Sequence, residues 1–217
     1  MRQTWRRLTF LHWPYAPDLI RPLIPEGLRL DTFDNDAWVG LVPFEIYDFP
    51  GIPHFPETNL RTYVIGPDGS RAVWFFSLEA ARFVAVLGAR VRYHLPYYWA
   101  RMRVTEESGA IRYRSVRRWP RDPQAITDIL VRPGEPFQAS ELAERDDFLT
   151  ARFCLYATYR KGKLYCAQIE HPPWPLARAS VVNLRETLFE ASGLPPPRGE
   201  PIAHYSDELA VKIGFPE

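Results

Sequence analysis

Lysine is almost missing from this chain. It occurs only at positions 161, 163 and 212, and every other basic residue is an arginine. Chemistry that needs a primary amine, such as imine formation with a ketone, therefore has three candidates at most. Cysteine is nearly as scarce, with Cys154 and Cys166 alone. They flank Arg160-Lys161-Gly162-Lys163, which reads as a hairpin turn between two apolar strands. With Tyr159 opposite Leu164, Cys154 would face Ile169 and Cys166 would project from the other face. That register predicts two buried free thiols rather than a disulfide. No metal-ligating partner stands at suitable spacing beside them.

Long apolar runs are missing too. None approaches the roughly 18 residues that a membrane helix needs, so no membrane span is expected. Arg6-Arg7-Leu8-Thr9-Phe10-Leu11 superficially resembles a twin-arginine signal, but His12-Trp13-Pro14-Tyr15-Ala16-Pro17 is no apolar core for one. These residues read as a first strand, and a cytoplasmic location is the default expectation. Charge of one sign is also lacking. A net charge of +1 removes the overall electrostatic reason to expect nucleic acid or an acidic surface as partner. Arg90, Arg92, Arg101, Arg103, Arg112 and Arg114 alternate with other residues as they would on a half-solvated antiparallel strand.

What the chain has in quantity is apolar and aromatic residues. Hydrophobic residues make up 46% of its 217 residues, and there are seven tryptophans. One domain spanning residues 1–217 is expected at this length. Most of it reads as short strands between proline and glycine turns. Residues 37–46 form an apolar run suited to a strand buried on both faces. Residues 60–65 and 72–76 flank the turn Gly66-Pro67-Asp68-Gly69, and residues 99–105 and 110–116 flank Glu106-Glu107-Ser108-Gly109. Four helices are expected: residues 17–24, a segment after Ser77 ending near Gly88, one after Ser140, and one capped by Asn183 and Glu186 and stopped at Gly193. Few helices among many strands predict an α+β, mainly antiparallel β domain.

The segment Gly88-Ala89-Arg90, followed by Pro96-Tyr97-Tyr98, resembles the active-site segment of acetoacetate decarboxylases. There a Gly-Arg-Glu run leads to Pro-Lys-Lys, whose first lysine forms the Schiff base. Tyr97 and Tyr98 replace both lysines here. Arg21-Pro22-Leu23-Ile24-Pro25-Glu26-Gly27-Leu28 is similar to that family's helix and following turn. Val42-Pro43-Phe44-Glu45-Ile46 is similar to its Phe-Glu-Ile strand. Phe55-Pro56-Glu57-Thr58 falls at its second pocket glutamate, and Arg6 at an arginine near the substrate carboxylate. Over nearly the whole chain the closer resemblance is to the bacterial YqjF-like family of the acetoacetate decarboxylase-like superfamily. Leu11-His12-Trp13-Pro14, Trp38-Val39-Gly40-Leu41-Val42-Pro43-Phe44, Asn59-Leu60-Arg61-Thr62-Tyr63-Val64, Val73-Trp74-Phe75-Phe76-Ser77-Leu78 and His171-Pro172-Pro173-Trp174-Pro175-Leu176 carry it. The resemblance implies an acetoacetate decarboxylase-like β-barrel or cone with a few peripheral helices, and a pocket.

Taken alone, Arg6, Glu45 and Glu57 read as ordinary ion-paired charges on separate strands. The resemblance implies instead that they line the pocket, with Glu45 and Glu57 as acid–base groups and Arg6 holding a carboxylate. Glu45 interrupts an apolar strand, so burial would raise its pKa. Tyr97 and Tyr98 follow a proline that holds the chain extended, so their rings should point to opposite faces. Tyr97, at the matched lysine position, is the catalytic candidate, and Tyr98 is a candidate for substrate contact. His171 and Trp174 sit in a proline-rigid segment that reads either as a pocket wall or as a plug closing the barrel. His12, His54, His94 and His204 lack metal-like spacing, and no phosphate loop appears, so neither metal nor cofactor is expected.

Two function classes stay open: a cofactor-free enzyme acting on a small oxo or hydroxy acid, and a non-catalytic sensor or carrier of a small carboxylate. Nothing in the sequence indicates the oligomeric state. Both classes exclude a Schiff base. Borohydride treatment in the presence of acetoacetate is expected to leave no covalent adduct; a stoichiometric adduct on any lysine contradicts this.

Overall fold

Residues 37–46 are buried without a break, which a strand achieves only when both its faces are covered. The computed structural model describes residues 1–52, 54–121, 123–159 and 162–214. In chain order the elements are β1 (Arg2–Tyr15), α1 (Pro17–Ile20), β2 (Arg29–Leu30), β3 (Thr32–Phe33), β4 (Asp36–Tyr47), β5 (Phe55–Ile65), β6 (Arg71–Ala80), α2 (Phe83–Tyr93), β7 (Tyr97–Glu107), β8 (Ala110–Trp119), β9 (Ile126–Pro136), α3 (Glu144–Thr150), β10 (Cys154–Thr158), β11 (Leu164–Glu170), β12 (Ala177–Glu186), α4 (Leu188–Ala191) and β13 (Ile202–Ile213). The class is mainly antiparallel β with few helices, and β6 makes parallel pairs with both β7 and β10.

Strand pairing closes the sheet on itself in two ways. Strands β13, β1, β4, β5 and β6 lie side by side. The hairpin β10–β11 bridges β6 to β13 on one side. The succession β7, β8, β9, β12 bridges the same two strands on the other. The five strands thus form a wall shared by two enclosures. One holds Leu8, Phe10, Phe44, Tyr63, Leu155 and Ala167 among its core residues. The other holds Trp13, Leu41, Leu60, Ile129, Val131 and Phe189. Strand alternation sends successive wall residues into alternate cores, which is why β4 shows no polar face.

Helices differ most from the sequence expectation. The segment around Ser77 is strand: β6 continues to Ala80 and α2 starts only at Phe83. A nearby good N-cap is overridden because β6 pairs along that length with β5 and β7. His94 then ends α2 in a left-handed conformation, φ 49°. Asn183 lies inside β12, where its Nδ2 donates to the Asp128 carbonyl at 3.0 Å. Glu186 still caps α4, accepting from the Leu188 and Phe189 backbone amides at 2.6 and 3.1 Å.

The cysteines are a correction. They form a disulfide with Cα atoms 6.2 Å apart. Thr158, rather than Tyr159, pairs with Leu164, so Cys154 faces Gln168 and Tyr156 faces Cys166. The shift by one residue puts both sulfurs on one face. Part of the turn between them, residues 160 and 161, lies outside the described residues.

The wall imposes a severe condition on charge. Arg117 and Glu79 are fully enclosed and pair at 2.6 Å, with Ser77 Oγ accepting from Arg117 Nη2 at 3.1 Å. Removing one partner leaves a buried charge unpaired. Arg117→Ala is expected to lower unfolding stability by about 3–5 kcal/mol in urea denaturation. Lys212→Ala, which breaks an exposed pair with Glu170, should change it by less than about 1 kcal/mol.

Candidate functional site

Pairing registers decide which of the sequence candidates meet. Phe44 lies opposite Glu57, whereas Glu45 lies opposite Pro56. Glu45 and Glu57 are therefore on opposite faces of the shared wall. Glu45 is buried and paired with Arg7, whose Nη1 reaches its Oε2 at 3.4 Å. Arg6 is turned outward. Its Nε bonds Glu208 at 2.7 Å, its side chain is half exposed, and its guanidinium lies over the Tyr47 ring. The cause is an extra residue in β1: Arg7 takes φ 51°, and the register to β4 slips between Arg6 and Leu11. The structure thus does not gather Arg6, Glu45 and Glu57 at one point.

It does bring Glu57 and Tyr97 together. Tyr97 pairs with Leu78 across β6 and β7, and Glu57 with Ala80 across β5 and β6, so both face the same core. The Tyr97 hydroxyl donates to Glu57 Oε2 at 3.1 Å. Glu57 is 4% exposed, and burial pushes its carboxyl up to about 8, with the Tyr97 hydrogen bond opposing the shift. Burial, and then the adjoining Glu57 carboxyl, push the Tyr97 phenol well above its ordinary range. At neutral pH the pair therefore holds a protonated carboxyl beside a phenol.

Tyr98 faces the other way, opposite Glu79, with the Arg117 guanidinium 3.5 Å from its ring centroid. Trp174 is buried. Its Nε1 donates to the Thr150 carbonyl at 3.0 Å, and its ring packs on Trp5 and Phe10. His171 stacks against Trp174 and Phe153 and borders a surface cleft of about 580 Å³ with Arg2, Asp48 and Lys212. His94 and Pro96 border another, of about 360 Å³. Glu57 and Tyr97 line neither of these two clefts.

Sequence reasoning missed a polar row beside Glu57. Along β5, Glu57, Asn59, Arg61 and Tyr63 share one face and are all buried. Gly40 pairs with both Arg61 and His12, which places His12 in the same row across the wall. A Cβ on Gly40 would lie 2.9 Å from the His12 ring, so glycine there is what admits the imidazole. His12 Nε2 meets the Tyr63 hydroxyl at 2.6 Å, and that hydroxyl donates to the Leu149 carbonyl at 2.6 Å. Burial and the Arg61 charge hold the imidazole well below its usual pKa. The available signal was polarity at every second position of a strand next to an apolar one. Among the described residues, no group of three or more His, Cys, Asp or Glu is arranged to hold a metal.

These features place the chain in the class of acetoacetate decarboxylase-like folds. Acetoacetate decarboxylase from Legionella pneumophila matches 100% of this chain and 86% of its own at 15% identity, with a TM-score of 0.67. The biosynthetic enzyme MppR, solved with pyruvate, matches 100% of this chain and 89% of its own at 12% identity and a TM-score of 0.63. An acetoacetate decarboxylase-like enzyme from Sphingomonas wittichii RW1 gives 0.63 at 11% identity, over 99% of this chain and 91% of its own. The chain belongs to the DUF2071 family, described as an uncharacterized conserved protein, whose match spans residues 2–210. Within that relationship it is 40% identical to the uncharacterized protein YqjF of Bacillus subtilis (strain 168), over 97% of this chain and 89% of the relative.

The raised pKa makes a testable link to stability. Folded Glu57 keeps its proton up to about 8, while unfolded Glu57 loses it near 4.5. Its favourable contribution is present below 4.5 and lost as pH rises to 8. Glu57→Gln should therefore gain stability over the parent between those values, by on the order of 1 kcal/mol per pH unit, and hold level above them. Urea denaturation at pH 5, 7 and 9 measures this; a gap independent of pH would refute it.

Proposed function

We propose that this protein binds a small carboxylate-bearing oxo or hydroxy acid on the Glu57–Tyr97 side of the shared wall and moves a proton on it without a cofactor. The observation that carries this reading is the Tyr97 hydroxyl on the buried Glu57 carboxyl, in the core lined by Phe44 and Leu78. Tyr97 occupies the position that the resemblance assigns to a Schiff-base lysine, and a phenol cannot form an imine. It can donate to a carbonyl or enolate oxygen. Glu57, with a pKa of about 8, can accept a proton from the carbon beside that carbonyl and return it. The pyruvate complex of the similarly folded MppR supports the choice of a small oxo acid. Arg6 is turned away from this core, so holding the ligand carboxylate falls to another cation.

Hydrogen–deuterium exchange at the pyruvate methyl group, followed by proton NMR, tests the reading. The intact protein should accelerate exchange, with a rate that rises with pH through about 8 as Glu57 ionises. Glu57→Gln should abolish the acceleration. Tyr97→Phe should lower it by about a hundredfold with little change in thermal stability, and Tyr98→Phe should leave it intact. Equal losses in Tyr97→Phe and Tyr98→Phe would refute the assignment. Ligand binding without exchange would favour the sensor or carrier alternative.

A further inference from the structure

Arg61 is 8% exposed, and no carboxylate among the described residues pairs with it. Its Nη2 reaches only the Leu149 carbonyl, at 3.5 Å, and its Nε has no protein partner. The Phe10 and Tyr63 rings, 5.6 and 5.8 Å from the guanidinium carbon, offset part of its charge. Arg152, another arginine at this core, pairs with Asp31 at 2.5 Å, a carboxylate it shares with Arg71. A buried guanidinium in this setting calls for an anion.

The neighbouring unpartnered atoms are of the opposite kind. Tyr63 gives its proton to Leu149, so it accepts from His12 Nε2–H, and His12 Nδ1 is left as a lone pair. Asn59 Oδ1 is also buried without a protein partner, one strand position from Arg61 on the same face. The row thus offers one charged donor flanked by two acceptors. Water can satisfy the acceptors but brings no charge for the guanidinium. A simple oxo acid balances the charge but has no proton for the acceptors. A hydroxy acid balances the charge and brings one hydroxyl proton, which satisfies one of the two acceptors and leaves the other to water.

We propose that Arg61, His12 and Asn59 form the anchor of the ligand site and select a short 2-hydroxy carboxylate. Arg61 takes the carboxylate, and the single hydroxyl proton goes to His12 Nδ1 or to Asn59 Oδ1. This rests on the reading of the Glu57–Tyr97 core as the ligand site, since β5 carries Glu57, Asn59 and Arg61 on one face. It ranks hydroxy acids above oxo acids as ligands of that core and replaces Arg6 as the carboxylate-binding residue.

Isothermal titration of the full chain with lactate, pyruvate, propionate and the uncharged methyl lactate tests it. Lactate should bind about tenfold or more tighter than the other three. Arg61→Gln should cost lactate about tenfold or more and leave methyl lactate unchanged. The variant that removes the hydroxyl's acceptor, His12→Phe or Asn59→Leu, should erase the preference for lactate over propionate, and a preference kept in both would overturn the anchor. Equal affinity for lactate and methyl lactate, undiminished lactate binding in Arg61→Gln, or no binding of any of the four would each overturn the anchor. If Arg61→Gln does not fold, the series on the intact protein decides alone. Glu57→Gln separates this proposal from the reading beneath it. Loss of Arg61 dependence with pyruvate exchange still dependent on Glu57 removes the anchor and keeps the exchange site. Arg61-dependent lactate binding without Glu57-dependent exchange does the reverse.

Discussion

Five strands buried on both faces are the constraint on which the rest of this structure depends. The wall β13–β1–β4–β5–β6 is closed on one side by β10–β11 and on the other by β7–β8–β9–β12. No residue in the middle of β4 or β5 can reach bulk water. Every polar side chain there needs a protein partner, a shifted protonation state or a ligand. The close approach of neighbouring strands sets further local demands, such as glycine at position 40 under the His12 ring.

The two faces of the wall meet that demand differently. On one, charges cancel internally: Arg117 closes on Glu79 and Ser77, and Arg7 on Glu45. On the other, Arg152 pairs with Asp31, but among the described residues Glu57 is bonded to a phenol, and Arg61 to a carbonyl beside two aromatic rings. Burial pushes Glu79 upward too, but Arg117 and Ser77 pull it back. Glu57 has only Tyr97 to do so. A paired charge is adequately explained by stability. The uncompensated groups on the second face are what supports proposing a ligand site there.

The same architecture occurs in proteins only 11–15% identical to this chain. Such likeness speaks to fold, because function resides in the side chains a fold presents. In this chain Tyr97 pairs with Leu78, and its hydroxyl reaches the buried Glu57 carboxyl.

Much of this was legible in the sequence. The apolar run at 37–46 predicted a strand covered on both faces, because only alternation with polar residues allows one face to be wet. The order of short matches to the acetoacetate decarboxylase-like superfamily carried the fold, and the extended backbone after Pro96 separated the two tyrosines. Other features depended on register, which a sequence does not display: one residue of slip exchanges faces. A single-residue shift turned the cysteines from opposite faces to a shared one. An extra residue at Arg7 directed Arg6 to the surface and Arg7 to Glu45. Arg61 was invisible as a candidate for a related reason. On paper it is one arginine among many, and only the closing of the sheet on both sides buries it without a carboxylate partner among the described residues.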